Sequence, residues 1–134
     1  MMKVFISSTQ NDLDLAQDLA RRLQGIGLQV FTAKDGKKKK ESLPTIDRHL
    51  HRLRASDEVI FLLTQNAVRS GKIIFEIGAA LSLHKKVTPI VVGVEADELP
   101  LMIKHLPYIR YAQMTDYLSK LKKKQIGATA KVHA

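Results

Sequence analysis

Glu58-Val59-Ile60-Phe61-Leu62-Leu63-Thr64 places five consecutive apolar residues between an acid and a hydroxyl. A run this short and continuous, rich in β-branched and aromatic side chains, reads as a strand buried on both faces, the kind found inside parallel sheets. Working outward, Lys3 to Ser7 and Leu28 to Thr32 form two strands before it, and Val87 to Val94 forms one after it. Pro89 lacks an amide donor and favours an edge or a strand start within that run. Tyr108 to Tyr111 reads as a last short strand.

Amphipathic stretches separate these runs. Asn11 or Asp12 can cap a helix over roughly 12–25, with Leu13, Ala16, Ala20 and Leu23 as its apolar stripe. Gly25 and Gly27 stop it. A second helix carries Ile46, Leu50 and Leu53 on one face, with Arg48, His49, Arg52 and Arg54 around it. A third holds Glu76, and Met114 to Lys124 makes the last. Residues 33–44 form a polar, lysine-rich loop, long for an α/β connection and so marked for function or mobility. Strands alternating with helices predict a single flavodoxin-like α/β domain. Its central parallel sheet has about five strands in the order 2-1-3-4-5, with helices on both faces. A basic tail over 121–134 follows, with disorder expected from Gln125 onward.

The 134 residues suffice for one hydrophobic core, and 45% hydrophobic with 26% charged content is ordinary for a globular protein. No run approaches the roughly 18 apolar residues that span a membrane. Met1 to Ser7 lacks a signal-peptide core. With no cysteine, disulfides and thiolate chemistry are excluded, which fits a cytoplasmic protein. The net charge of +9 is concentrated: Lys37 to Lys40 and the five lysines from Lys120 onward account for it. Those runs carry no interleaved aromatics, so nucleic acid is not the expected partner.

Glu76 is the anomaly. It lies in Ile73-Ile74-Phe75-Glu76-Ile77-Gly78-Ala79-Ala80-Leu81, where Ile73 and Ala80 share its flank of a helix. A carboxylate there needs a partner or a chemical purpose, because burial disfavours its charged form. Ligands of open parallel sheets bind beyond the carboxyl ends of the strands, where strand order reverses. The first strand delivers Ser7 to Asp12 to that point, and the third delivers Thr64 to Asn66. These residues suit a sugar or nucleotide, and they are equally the types that loops and caps favour. There is no Gly-x-Gly-x-x-Gly turn, phosphate loop or nucleophile elbow, and no metal site is expected. His49 and His51 diverge on a helix, while His84 and His105 read as structural or solvent-facing.

Phe5-Ile6-Ser7-Ser8 followed by Asp12 resembles the first motif of Toll/interleukin-1 receptor (TIR) domains. Ser56-Asp57, Val59 to Thr64, Ser70 and Glu76 resemble the family's later strand, loop and glutamate helix. Pro89 and the Leu-Pro pairs at 99–100 and 106–107 agree with it. The resemblance covers about residues 3 to 120 and makes 1–120 a TIR-like domain. It implies an NAD+ hydrolase or cyclase that cleaves the nicotinamide–ribose bond, with Glu76 catalytic and NAD+ a substrate rather than a cofactor. Ser7, Ser8 and Asp12 would line the pocket with the loop at 33–44, and Lys72 and Phe31 would join the substrate-binding set. Family members often carry an aromatic where this chain has Ser8, and a tryptophan where it has Lys72. Phe31 and Phe75 are the candidate replacements. The family also implies self-association or pairing with other TIR domains, in signalling or immunity. A noncatalytic TIR adaptor is the alternative. The Phe75-Glu76-Ile77-Gly78-Ala79-Ala80 run before Lys86-Val87 resembles nucleoside 2-deoxyribosyltransferases as well, a third reading with the same glutamate acting on a sugar carbon.

Overall fold

The computed structural model describes residues 2–32 and 45–133. The five strands are β1 (Lys3–Ser7), β2 (Gln29–Thr32), β3 (Glu58–Leu63), β4 (Lys86–Val91) and β5 (Ile109–Arg110). They pair in parallel in the order β2-β1-β3-β4-β5, as the sequence predicts. The helices are α1 (Leu13–Gly25), α2 (Thr45–Ala55), the short α3 (Gln65–Val68), α4 (Gly71–Ser82) and α5 (Met114–His133). The lysine-rich loop at 33–44 lies outside the described residues.

Strand alternation sorts the core into two layers. Val4, Ile6, Ile60, Leu62 and Ile90 pack with Ala16, Leu19, Ala20 and Leu23 of α1 and with Met114 and Leu121 of α5. Phe5, Val59, Phe61 and Leu63 point the other way, onto Leu53 of α2 and Ile73, Ile77 and Ala80 of α4. All six residues of β3 are buried, which confirms it as an interior strand. The same alternation sends Ser7 to the α2/α4 layer, two residues beyond Phe5.

Pro89 sits inside β4, opposite Phe61 of β3, rather than in an edge strand. The Val92 amide donates to Leu63 O of β3, so by alternation Pro89 faces the β5 side. There β5 pairs only with Ile90 and Val91, and the missing donor breaks no ladder bond. The strand ends at Val91 instead of Val94, ahead of Gly93 at φ 65°. Such a positive φ turns the chain at little cost only for glycine.

Two part-buried tyrosine contacts tie the C-terminal segment to β3 and to α1. Glu58, 1% exposed, accepts from Thr88 Oγ1 and from Tyr117 Oη of α5 at 2.8 Å, with Lys86 Nζ 3.7 Å from its other oxygen. Burial, then the Glu58 charge, raises the Tyr117 phenol well above its ordinary value of 10.0. Tyr111 Oη donates to Asp18 of α1 at 2.7 Å, and that bond holds the Asp18 carboxyl below its usual range. α5 continues to His133, where the sequence reading expected disorder from Gln125 onward. The physical reason is local: Gln125, Ala128, Ala130 and Lys131 favour helix, and Gly127 alone does not end one.

Candidate functional site

α2 and α4 both begin at the carboxyl edge of the sheet and run back beneath it, side by side against β1 and β3. Ser70 caps α4, its Oγ accepting from the Ile73 amide at 3.3 Å. Glu76 falls in the second turn of α4, and His49 in the second turn of α2. Ile73, Glu76, Ile77 and Ala80 form the buried stripe of α4, so Glu76 does occupy a core position.

It is not unpaired. Ser7 Oγ donates to Glu76 Oε1 at 3.1 Å, and His49 Nδ1 lies 3.1 Å from both Oε1 and Oε2. Glu76 is 2% exposed and His49 7%. A carboxylate only accepts hydrogen bonds, so Nδ1 carries the proton in this arrangement. The His49 ring meets Phe5 edge-on, with centroids 5.9 Å apart and planes at 67°. Three elements, β1, α2 and α4, therefore converge on one carboxylate near the carboxyl ends of β1 and β3, where the strand order reverses.

The other expected site residues are placed less uniformly. Ser8 is 1% exposed, and its hydroxyl has no hydrogen-bond partner among the described residues. A buried hydroxyl left unbonded costs about 1–3 kcal/mol, so this atom is available to a ligand or a water. Asp12 stands at the N-cap position of α1, after a 3-10 turn at Gln10–Asp12, but its side chain makes no cap hydrogen bond. Its Oδ2 instead accepts from Thr9 Oγ1 at 2.5 Å and Thr64 Oγ1 at 2.6 Å, tying the β1 turn to the end of β3. Thr64 also caps α3, accepting from the Ala67 amide. Lys72 is half-exposed, one turn nearer the carboxyl edge on Glu76's flank. Phe31 is half-buried, with the Arg52 guanidinium 5.2 Å from its ring centroid. Phe75 is 47% exposed, so it is no substitute for a pocket aromatic. His84 and His105 are exposed, as expected.

The residue that sequence reasoning missed is His49. One signal pointed to it: His49 lies four residues before Leu53 and one before Leu50, on the apolar flank of α2. A cleft of about 400 Å³ lined by Val92, Gly93, Glu95, Arg110 and Tyr111 opens beyond β4 and β5. Its lining includes none of Ser7, His49 and Glu76, so it is not the pocket of that carboxylate.

A flavodoxin-like α/β domain with a braced carboxylate near the carboxyl edge of its sheet is the class that fold and site define. The family model described as TIR domain matches residues 4–124, and the chain belongs to that family. Among curated proteins none matches the sequence significantly. Among solved structures, the chain is similar to a metazoan TIR-STING receptor from C. gigas, at 21% identity and a TM-score of 0.72. That alignment covers 89% of this chain and 39% of the receptor, so the chain spans well under half of it. It is also similar to a 2-deoxyribosyltransferase from Bacillus psychrosaccharolyticus (19% identity, TM-score 0.62, 75% of this chain and 79% of that one). A CMP N-glycosidase from Clostridium botulinum aligns at 20% identity and a TM-score of 0.60, over 89% and 97% of the two chains. Among the described residues no helix is long and apolar enough to cross a membrane.

Proposed function

We propose that this TIR domain is an NAD+ hydrolase or cyclase that breaks the nicotinamide–ribose bond with Glu76, acting in a self-associated state. The observation that carries the reading is a buried carboxylate braced by Ser7 and His49 near the carboxyl ends of β1 and β3. One of the similar folds is named an N-glycosidase and another a 2-deoxyribosyltransferase, and both names support chemistry at a sugar carbon.

The chemistry suits one acid. Nicotinamide leaves as a neutral molecule with the bonding electrons, and the positive charge passes to the ribose as an oxocarbenium-like centre. An anionic carboxylate beside that centre stabilises the charge where it develops. Water then adds to the anomeric carbon and loses a proton, so NAD+ and water give ADP-ribose, nicotinamide and H+. Ser8 Oγ, buried and unbonded among the described residues, is the donor or acceptor we assign to the sugar. Lys72, near the edge, is assigned to the phosphates.

The test is product analysis with NAD+ at high protein concentration, wild type against Glu76→Gln. Nicotinamide release that falls by at least about 100-fold in the variant, with the fold intact by circular dichroism, is the expected result. Equal turnover in the two proteins refutes the assignment. The similarity to the deoxyribosyltransferase favours a second reading, in which Glu76 attacks a deoxyribose carbon of a nucleoside. Base exchange between deoxynucleosides with NAD+ left intact identifies that case. A noncatalytic adaptor shows assembly without either reaction.

A further inference from the structure

We infer that His49 is the positioning residue for Glu76: a neutral imidazole whose Nδ1–H fixes the plane of the carboxylate and leaves its negative charge uncancelled. The role in catalysis rests on the reading that Glu76 acts at a sugar carbon; the pairing itself does not.

Three observations carry it. First, Nδ1 is equidistant from the two oxygens, 3.1 Å to each, so one N–H spans the carboxylate instead of bonding one side of it. Second, the ring is held from behind by the edge-on contact with Phe5, and Ser7 Oγ holds Oε1 from β1. The carboxylate is thus fixed by donors on two separate elements, which is how a reacting group is held to within a fraction of an ångström. Third, the residue type matters. A lysine or arginine at 49 would set a permanent cation against Glu76 and cancel the charge a cationic sugar needs. A neutral imidazole gives a directed donor with no net charge.

Among the described residues, few charged or titratable groups lie near the pair. Arg48 and Arg52 flank His49 on α2, and Lys72 lies one turn from Glu76 on α4. β1 presents Phe5 and Ser7, neither of them charged.

Two variants and one spectroscopic measurement decide the matter. His49→Asn puts an amide N–H where Nδ1 stands and cannot become cationic; His49→Phe keeps the edge contact and removes the donor. With NAD+ as substrate, kcat falls about 10–100-fold in His49→Phe with KM little changed, the size of effect expected from a misplaced reacting group. His49→Asn, which keeps a neutral N–H at that place, retains kcat within about threefold. An unchanged kcat in His49→Phe, or a loss in His49→Asn as large as in His49→Phe, overturns the inference. Independently of turnover, nitrogen NMR of the ring in full-length protein near pH 7 shows a neutral imidazole with its proton on Nδ1. A proton on Nε2 alone, or protons on both nitrogens, refutes the pairing as drawn. If wild type leaves NAD+ intact, the proposed reaction fails and the NMR result still decides the role of His49.

Discussion

Replacing the His49–Glu76 pair with leucines, singly and together, separates what the pair does for chemistry from what it does for the fold. His49→Leu leaves the Glu76 carboxylate, 2% exposed, with Ser7 Oγ as its remaining donor among the described residues. Taking the ring donor away from so buried a carboxylate costs about 3 kcal/mol or more, since the surviving charge stays out of water. Glu76→Leu alone strands two donors, Ser7 Oγ and His49 Nδ1. At about 1–3 kcal/mol for a buried unbonded group, partly offset by about 1.5–3 kcal/mol from burying a leucine, the net loss is about 1–2 kcal/mol. The double variant leaves only the Ser7 hydroxyl, which can rotate. Replacing both partners of a buried polar contact by apolar groups of similar shape is nearly neutral or stabilising. Adding Glu76→Leu to His49→Leu should therefore restore about 3 kcal/mol or more. At about 0.28 kcal/mol per kelvin of unfolding entropy for a chain this long, that is roughly 10 °C in Tm. Urea and thermal denaturation of the four proteins, with m held constant as a check, measure the coupling. A double variant no more stable than His49→Leu refutes the reasoning. Recovery of stability with no nicotinamide release marks the pair as a cost the fold carries for its site.

Tyr117→Phe should lower stability by about 1–2 kcal/mol near neutral pH, because Glu58 loses one of its hydroxyl donors and keeps Thr88. The folded Tyr117 phenol is raised above its ordinary 10.0, so its contribution is complete below that pH and is lost as the pH climbs from there toward the folded value. The gap between wild type and variant, read from urea midpoints, narrows above about pH 10; a constant gap removes Tyr117 as the cause. Asp12→Ala frees the Thr9 and Thr64 hydroxyls and should cost about 1–2 kcal/mol, measured the same way. No change in urea midpoint would mean that the brace between the β1 turn and β3 does not hold in solution.

The strands and their order were legible because unbroken apolar runs such as Val59 to Leu63 have few alternatives. Glu76 was legible for the converse reason, as one acid in an apolar stripe. What binds it was not, because His49 reaches it across 27 positions and looks polar among arginines. Asp12 shows the same limit. Its sequence neighbours say helix cap, and its partner Thr64 is 52 positions away. Phe75, chosen only as an aromatic beside Glu76, is turned outward by the 100° step of the helix.

Pro89 bears on how copies of this chain can meet. Below the two residues paired with β5, the flank of β4 lacks the amide that an incoming strand would bond. Sheets with a free flank tend to grow by recruiting a strand from a neighbour, and a proline there denies the recruit its first bond. Growth from molecule to molecule along that flank is closed off. That leaves the outer edges at β2 and β5, and the helix and loop surfaces, as the places where a second copy could dock.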